Sequence, residues 1–192
     1  MKRNSDIKKL FDQSAKIILD SKTLEVQIIN SISLIIKSLK NKKKIVIFGN
    51  GGSAADAQHM AGELIGRYLL ERNSLSAIAL TTDSSILTAL GNDYGFENIF
   101  SRQCEGLVKN GDVVIGISTS GNSKNILKGI SKARILGAKI ISLTGSNPSK
   151  MKKYSDIVIA VPPKNTARIQ ESHRTIIHII CEQVEKTLSK QC

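Results

Sequence analysis

The stretch KIVIFGNGGS, residues 44–53, joins a short uninterrupted apolar run to a glycine-rich turn. Similar apolar runs recur later in the chain: SAIAL (76–80), DVVIGIS (112–118), AKIISLTG (138–145) and DIVIAV (156–161). Strands without polar interruptions are typical of a parallel sheet that is covered on both faces. Helical stretches alternate with these runs, which indicates βαβ units with helices on both sides. The sequence therefore predicts an α/β fold built on a five-stranded, parallel, doubly wound sheet.

The helices are predicted from the spacing of apolar residues. Residues 5–40 have the helical period and form two predicted helices, broken near Asp20 and Ser21. The other predicted helices are Ala54 to Leu70, 84–90, 96–108, Lys124 to Leu136 and Ala167 to Ser189. We expect residues 1–192 to form a single domain. Its N-terminal helical extension, residues 1–40, is expected to serve packing and oligomerisation.

The composition narrows the class of protein. The formal net charge is +12, but the lysines are dispersed apart from those at 42–44, and few aromatic residues could stack on bases. We therefore expect a solvated lysine surface and no nucleic-acid partner. The apolar runs are too short and too charged for a membrane span or a secretory signal. Scattered Cys104, Cys181 and Cys192 indicate free thiols in a reducing compartment, so the expected location is cytoplasmic.

Two strand ends carry loops that suit a phosphate. In an open parallel sheet, ligands bind beyond the carboxyl ends of the strands. FGNGGS (48–53) and STSGNS (118–123) stand at two such ends, each before a helix with unpaired N–H groups. Ordinary turn chemistry explains the first loop equally well, whereas four hydroxyls in six residues favour a phosphate at the second. Neither loop matches a dinucleotide or P-loop pattern, so a phosphorylated small molecule is predicted.

Three histidines are the candidates for proton transfer or metal binding. His59 and Glu63 are four residues apart on the helix after the first loop and therefore share a face. His178 interrupts the apolar stretch TIIHIIC (175–181), where an imidazole is costly to bury unless it is hydrogen-bonded or liganded. Taken singly, each histidine is more often a core or surface residue than a functional one. His173 is interpreted as structural.

Four long segments stand out: GNGGSAADAQHMAGELIGRY (49–68), GNDYGFENIFSRQ (91–103), GDVVIGISTSGNS (111–123) and ARIQESHRTIIHII (167–180). In this order they resemble the motifs of the phosphoheptose isomerases, which are sugar isomerase (SIS) domain enzymes. The resemblance implies a SIS-type, flavodoxin-like fold and a homotetramer with active sites at subunit boundaries. It also implies conversion of sedoheptulose 7-phosphate to D-glycero-D-manno-heptose 7-phosphate through an enediol. That reaction is the first step of nucleotide-activated heptose biosynthesis, for example for lipopolysaccharide.

The resemblance further implies roles for individual residues. The catalytic acid/base pair corresponds to Glu63 and His178. The phosphate is expected on Ser118, Thr119, Ser120 and Ser123. The sugar is expected on Asn50, Gly51, Gly52, Ser53, Glu63, Asn92, Asp93 and Gln170. One zinc ion per subunit is expected on His59, Glu63, Gln170 and His178. Ala167 is a departure, because some members of the family have an aspartate there.

Two alternatives to this function stay open at the level of sequence. A bacterial protein that binds the replication initiator resembles the family but has lost its catalytic carboxylate and histidine. This chain keeps both, in Glu63 and His178, which favours catalysis over a non-catalytic binding role. The other alternative is an isomerase for a different sugar phosphate, such as a pentose or amino-sugar phosphate, since the fold does not decide the substrate.

Overall fold

A parallel sheet forms the centre of the molecule. The computed structural model describes residues 3–146, 149–162 and 165–189. The strands are β1 (Ile45–Gly49), β2 (Ala77–Ala79), β3 (Val113–Ser118), β4 (Lys139–Gly145) and β5 (Ile157–Val161). They pair in the order β2-β1-β3-β4-β5, all parallel, which confirms the predicted doubly wound sheet. The chain leaves β1 towards β2 and leaves β3 towards β4, so the crevice between β1 and β3 is the topological switch point.

Seven helices surround the sheet in the described part of the chain. They are α1 (Arg3–Asp20), α2 (Glu25–Lys40), α3 (Gly52–Ile65), α4 (Ser84–Tyr94), α5 (Ile99–Leu107), α6 (Lys124–Ile135) and α7 (Thr166–Ser189). A 3-10 turn at Ser21–Leu24 separates α1 from α2, at the break that the sequence predicted. Two further 3-10 turns lie at Phe96–Asn98 and Lys150–Tyr154.

The helix after the first glycine loop is shorter than predicted. We expected it to continue to Leu70, but α3 ends at Ile65 and is followed by Gly66. The next N–H groups, those of Tyr68, Leu69 and Leu70, donate to the carboxylate of Glu185 on α7. Because these donors are used across the fold, they are not available to continue the helix.

The sheet has a separate apolar core on each face. Side chains at alternate strand positions, such as Ile47 and Ile115, pack with α2, α3 and α7. Their neighbours, such as Phe48 and Val114, pack on the other face with α5 and α6. The rings of Phe48 and Phe100 stack there with centroids 4.8 Å apart. Helices α3 and α6, which follow the two candidate loops, therefore lie on opposite sides of the sheet.

The N-terminal helices bury only part of their apolar surface. Ile28 and Ile35 of α2 are buried in the core, whereas Phe11 of α1 is 74% exposed. A groove of about 690 Å³ between α1, α2 and α7 is lined by both apolar and polar side chains. None of the helices in the described ranges has the length and apolar character that a membrane crossing requires.

The two cysteines in the described ranges are free and buried, as expected for unpaired thiols. Burial raises the pKa of Cys104 to about 12. For Cys181, burial first and then the nearby carboxylates raise the pKa to about 12. Both thiols are therefore protonated and unreactive at neutral pH. Cys192 lies outside the described residues.

Candidate active site

The glycine loop between β1 and α3 takes its shape from close contacts that only small residues allow. Gly51 has φ +55°, a left-handed conformation that glycine adopts without strain. A Cβ atom on Gly52 would lie 2.5 Å from Nε2 of Gln170, so the absence of a side chain lets α7 approach the loop. Ser53 is buried, and its N–H donates to the carbonyl of Asn50. The loop therefore brings the start of α3 next to α7.

The serine loop between β3 and α6 gathers hydroxyl groups at one point. The Oγ atoms of Ser118 and Ser123 are 3.2 Å apart, and those of Ser118 and Ser120 are 3.4 Å apart. Ser123 is the N-cap of α6, yet its hydroxyl faces Ser118 and makes no capping bond within the described ranges. Thr119 is half-buried, and its carbonyl accepts from the N–H of Gly145. Convergent hydroxyls at a helix N-terminus form an environment that suits an anion.

A reciprocal pair of amides joins the two loops. Nδ2 of Asn50 donates to Oδ1 of Asn125 over 2.9 Å, and Nδ2 of Asn125 donates back to Oδ1 of Asn50 over 2.8 Å. Oδ1 of Asn125 also accepts from the N–H of Ile126. The pair spans the crevice between β1 and β3. Asn125 was not among the residues that the sequence predicted; its position two residues after Ser123 is the only hint that the sequence offers.

His59, Glu63 and His178 form one cluster, as the resemblance implied. Nε2 of His59 is 3.3 Å from Oε1 of Glu63 and 2.7 Å from Nε2 of His178. One ligand atom from each of the three residues lies within 4.8 Å of the others. The helical spacing on α3 brings the first two together, and α7 supplies the third. All three side chains are partly accessible to solvent.

The electrostatics of the cluster favour a neutral His59. Burial lowers the pKa of His59, the Arg174 guanidinium lowers it further, and the raising effect of Glu63 does not outweigh them. Two imidazole nitrogens 2.7 Å apart must share a proton, since two lone pairs would repel. A neutral imidazole is also the form that binds a metal. The donor set of two histidines and one carboxylate therefore fits a divalent cation such as zinc.

An ion pair that the sequence reasoning missed aligns the two helices of the cluster. Nη2 and Nε of Arg174 on α7 lie 2.6 and 2.8 Å from Oδ1 of buried Asp56 on α3. Asp56 is three residues before His59, and Arg174 is four residues before His178. The pair therefore fixes α3 against α7 within one turn of each histidine. His173 is fully buried beside it, with Nε2 3.2 Å from the carbonyl oxygen of Thr144, in keeping with a structural role.

Other predicted site residues lie outside the cluster. Gln170 has its amide against Gly52 and is eight residues before His178 on α7. Asn92 and Asp93 are exposed on α4, a helix without buried residues that packs on α5, and Nδ2 of Asn92 donates to Oδ1 of Asp93. Ala167 is exposed in the first turn of α7. Within this chain, the described contacts do not bring Asn92 or Asp93 to the histidines.

Comparisons with known proteins agree with this architecture. The sequence profile of the SIS domain family matches residues 10–145. A phosphoheptose isomerase of Aquifex aeolicus is 52% identical over 186 residues, which cover 96% of this chain and 97% of that protein. One of Helicobacter pylori (strain P12) is 55% identical over 164 residues, or 85% of each chain.

Solved structures give the same answer at the level of the fold. A phosphoheptose isomerase from Neisseria gonorrhoeae is 40% identical with a TM-score of 0.90, over 95% of this chain and 98% of that one. A phosphoheptose isomerase from Francisella tularensis is 34% identical with a TM-score of 0.93, over 97% and 100% of the two chains. The chain therefore belongs to the SIS domain family and, within it, to the phosphoheptose isomerases.

Proposed function

We propose that this enzyme converts sedoheptulose 7-phosphate into D-glycero-D-manno-heptose 7-phosphate. The observation that carries the proposal is the meeting of Glu63 and His178, from two different helices, one of which begins at the glycine loop. The relatives at 52% and 55% identity are named phosphoheptose isomerases. The alternatives of a non-catalytic binding protein and of another sugar substrate have no such support.

In this proposal the serine loop holds the phosphate. Ser118, Thr119, Ser120 and Ser123 supply hydroxyl donors, and the N-terminus of α6 supplies a favourable dipole.

The sugar itself is proposed to contact the glycine loop, Gln170 and helix α4. Asn50, Gly51, Gly52, Ser53 and Gln170 lie together at the glycine loop, where backbone and amide groups can bind hydroxyls. Asn92 and Asp93 are exposed on α4, so we propose that they reach the sugar of a neighbouring subunit in a homotetramer. Exposed apolar side chains such as Phe11 and Phe96, 74% and 64% exposed, support an assembly of this kind.

Glu63 and His178 are proposed to move the protons. A ketose becomes an aldose when one proton leaves C1 and returns at C2, while a second proton passes from O1 to O2. Loss of the C1 proton together with protonation of O2 gives the enediol. Loss of the O1 proton together with protonation of C2 then gives the carbonyl at C1. A carboxylate and an imidazole suit these steps because each can accept and return a proton near neutral pH. One of the pair serves the carbon-bound proton and the other serves the oxygens.

Zinc is proposed as the metal of the cluster, one ion per subunit. His59, Glu63 and His178 would hold it, and the resemblance adds Gln170 as a fourth ligand. When bound, zinc would polarise the substrate carbonyl and stabilise negative charge on its oxygen. The lowered pKa of His59 helps to keep that ligand neutral and ready for the metal.

The test is turnover of sedoheptulose 7-phosphate by the purified protein and two variants. Glu63→Gln and His178→Gln should each lower kcat by about 10²–10⁴-fold, the usual worth of a general acid or base. Glu71→Gln is the matched control, because Glu71 is a carboxylate that is 91% exposed in the segment after α3. Failure of the native protein to turn over this sugar would refute the substrate, and a variant with native kcat would refute the role of that residue.

A further inference from the structure

A single buried carboxylate organises the segment between α3 and β2. Glu185 on α7 is 1% exposed. Its Oε1 accepts from the N–H of Tyr68 at 2.8 Å, and its Oε2 accepts from those of Leu69 and Leu70 at 2.7 and 2.9 Å. Burial raises the pKa of Glu185, but the three N–H groups and then Arg72 outweigh it, so the pKa is lowered overall. The carboxylate is therefore charged at neutral pH.

Arg72 links this carboxylate to the helix that carries Glu63. Its side chain is 2% exposed, and Nε lies 3.3 Å from Oε1 of Glu185. Nη2 donates to the backbone carbonyl of Glu63 over 2.8 Å, and Nη1 donates to the carbonyl of Gly66 over 3.1 Å. The last carbonyls of a helix have no partner inside the helix, and a cation there also suits the helix dipole. Arg72 thus fixes the backbone at Glu63.

The same segment places an aromatic ring against the second residue of the proposed acid/base pair. The ring of Tyr68 lies beside that of His178, with centroids 5.7 Å apart and planes at 44°. His178 and Glu185 are seven residues apart on α7, so they share a face of the helix two turns apart. The carboxylate that holds the Tyr68 N–H therefore also sets where the Tyr68 ring meets His178.

Apolar burial does not explain why the segment is held in this way. Leu69 and Leu70, which follow Tyr68, are 61% and 41% exposed. Their backbone is fixed by a buried charge, and a buried charge is unfavourable unless it is well bonded. This costly arrangement is connected both to Glu63 and to His178. It points to a role in placing these two residues rather than in stabilising the fold as a whole.

We propose that Glu185 is a positioning residue for the isomerase reaction. It holds Tyr68 against His178 directly, and through Arg72 it holds the end of α3 at Glu63. The proposal rests on the isomerase function proposed above, because it assigns Glu185 to the placement of that acid/base pair. Glu185 itself does not contact the sugar.

The first test is steady-state kinetics on Glu185→Gln in the full-length protein. The substitution keeps the shape of the side chain but removes its charge and one strong acceptor. We expect kcat for sedoheptulose 7-phosphate to fall about 10–100-fold, since a misplacement of about 1 Å can cost 10²-fold. KM should stay within about twofold, because the phosphate loop is remote. The control is Glu182→Gln. Glu182 is a carboxylate about one turn before Glu185 on α7 and pairs with Lys186, so its loss should leave kcat at the native value.

The second test reads the position of His178 directly. In protein labelled with ¹³C-histidine, the His178 ring signal should move in Glu185→Gln in the same direction as in Tyr68→Leu, because both changes alter the ring current on His178. Tyr68→Leu serves only to mark the direction of that shift. If Glu185→Gln does not fold, Glu185→Asp decides the matter, because it keeps the charge but shortens the reach to the N–H groups; it should move the His178 signal and lower kcat severalfold with KM unchanged.

The outcomes separate this proposal from the proposed function. Native protein that does not turn over sedoheptulose 7-phosphate refutes the function. Native protein that is active, together with variants that keep native kcat and an unmoved His178 signal, refutes the positioning role alone. A variant in which only thermal stability falls, while kcat and the His178 signal are native, also refutes it.

Discussion

The Asn50–Asn125 amide pair should contribute measurable stability, because it is the direct bond between the two ligand loops. Asn125→Ala removes three hydrogen bonds: two with Asn50, at 2.9 and 2.8 Å, and one from the Ile126 N–H at 2.9 Å. Each is worth about 0.5–1.5 kcal/mol net. Asn50 is only half-buried, so water can replace part of the loss. We expect the free energy of unfolding to fall by about 2 kcal/mol.

A double-mutant cycle tests whether the pair is responsible. Asn50→Ala, Asn125→Ala and the double variant are compared by thermal and denaturant unfolding at one fixed protein concentration, since assembly would otherwise shift the midpoint. For a chain of this size, 2 kcal/mol corresponds to a Tm drop of about 4–8 °C. The coupling energy between the two sites should be at least about 0.5 kcal/mol.

The control for the cycle is Asn73→Ala, a substitution at an exposed asparagine in the segment before β2. It should change the free energy of unfolding by no more than about 0.5 kcal/mol. A Tm for Asn125→Ala within 1 °C of the native value, or strict additivity in the cycle, would show that the loops are held by other contacts.

Three other predictions concern the phosphate, the metal and pH. Ser120→Ala should raise KM for the sugar phosphate about 3–10-fold with kcat little changed, because the phosphate is a remote group bound alike in ground and transition states; a fall in kcat alone would contradict this. Dialysis against a chelator should remove zinc from the native protein and abolish turnover, and His59→Ala should carry no zinc by elemental analysis; full activity in metal-free protein would refute the metal. Burial lowers the pKa of His173 in the folded protein. As the pH drops below about 6.5, the His173 imidazole therefore binds a proton in the unfolded chain before it does so in the folded one. The free energy of unfolding falls over the range from about pH 6.5 down to the folded-state pKa. His173→Gln should flatten that slope by up to about 1.4 kcal/mol per pH unit in urea unfolding curves, and an unchanged slope would show that other groups cause it.

The strands of the sheet could be predicted from the sequence because the pattern that indicates each strand is local. Uninterrupted apolar runs such as KIVIF (44–48) mark strands that are buried on both faces, and the structure confirms all five. The pairing of His59 with Glu63 was likewise predictable, since a spacing of four places both on one face of a helix. His178 is different, because its partner lies 119 residues away and only the resemblance to a family connected them.

The features that the sequence did not predict depend on distant partners. Helix α3 ends five residues earlier than expected because the N–H groups that would extend it bond to Glu185, which is 115 residues beyond Leu70. Nothing in the local sequence of Tyr68–Leu70 shows that partner. The same holds for Asn125 with Asn50 and for Arg174 with Asp56, because each is an ordinary polar residue until the fold brings a distant partner next to it.

The side chain of Ser123 points away from the helix that it begins, and this links ligand binding at the serine loop to the stability of the fold. An N-cap side chain usually satisfies one of the first N–H groups of its own helix. Here the hydroxyl faces Ser118 instead. An anion bound in the loop could therefore accept hydrogen bonds from the first N–H groups of α6 in place of the Ser123 side chain. A phosphorylated ligand would then stabilise the N-terminus of this helix. By mass action, the melting temperature of the protein would rise with the concentration of that ligand.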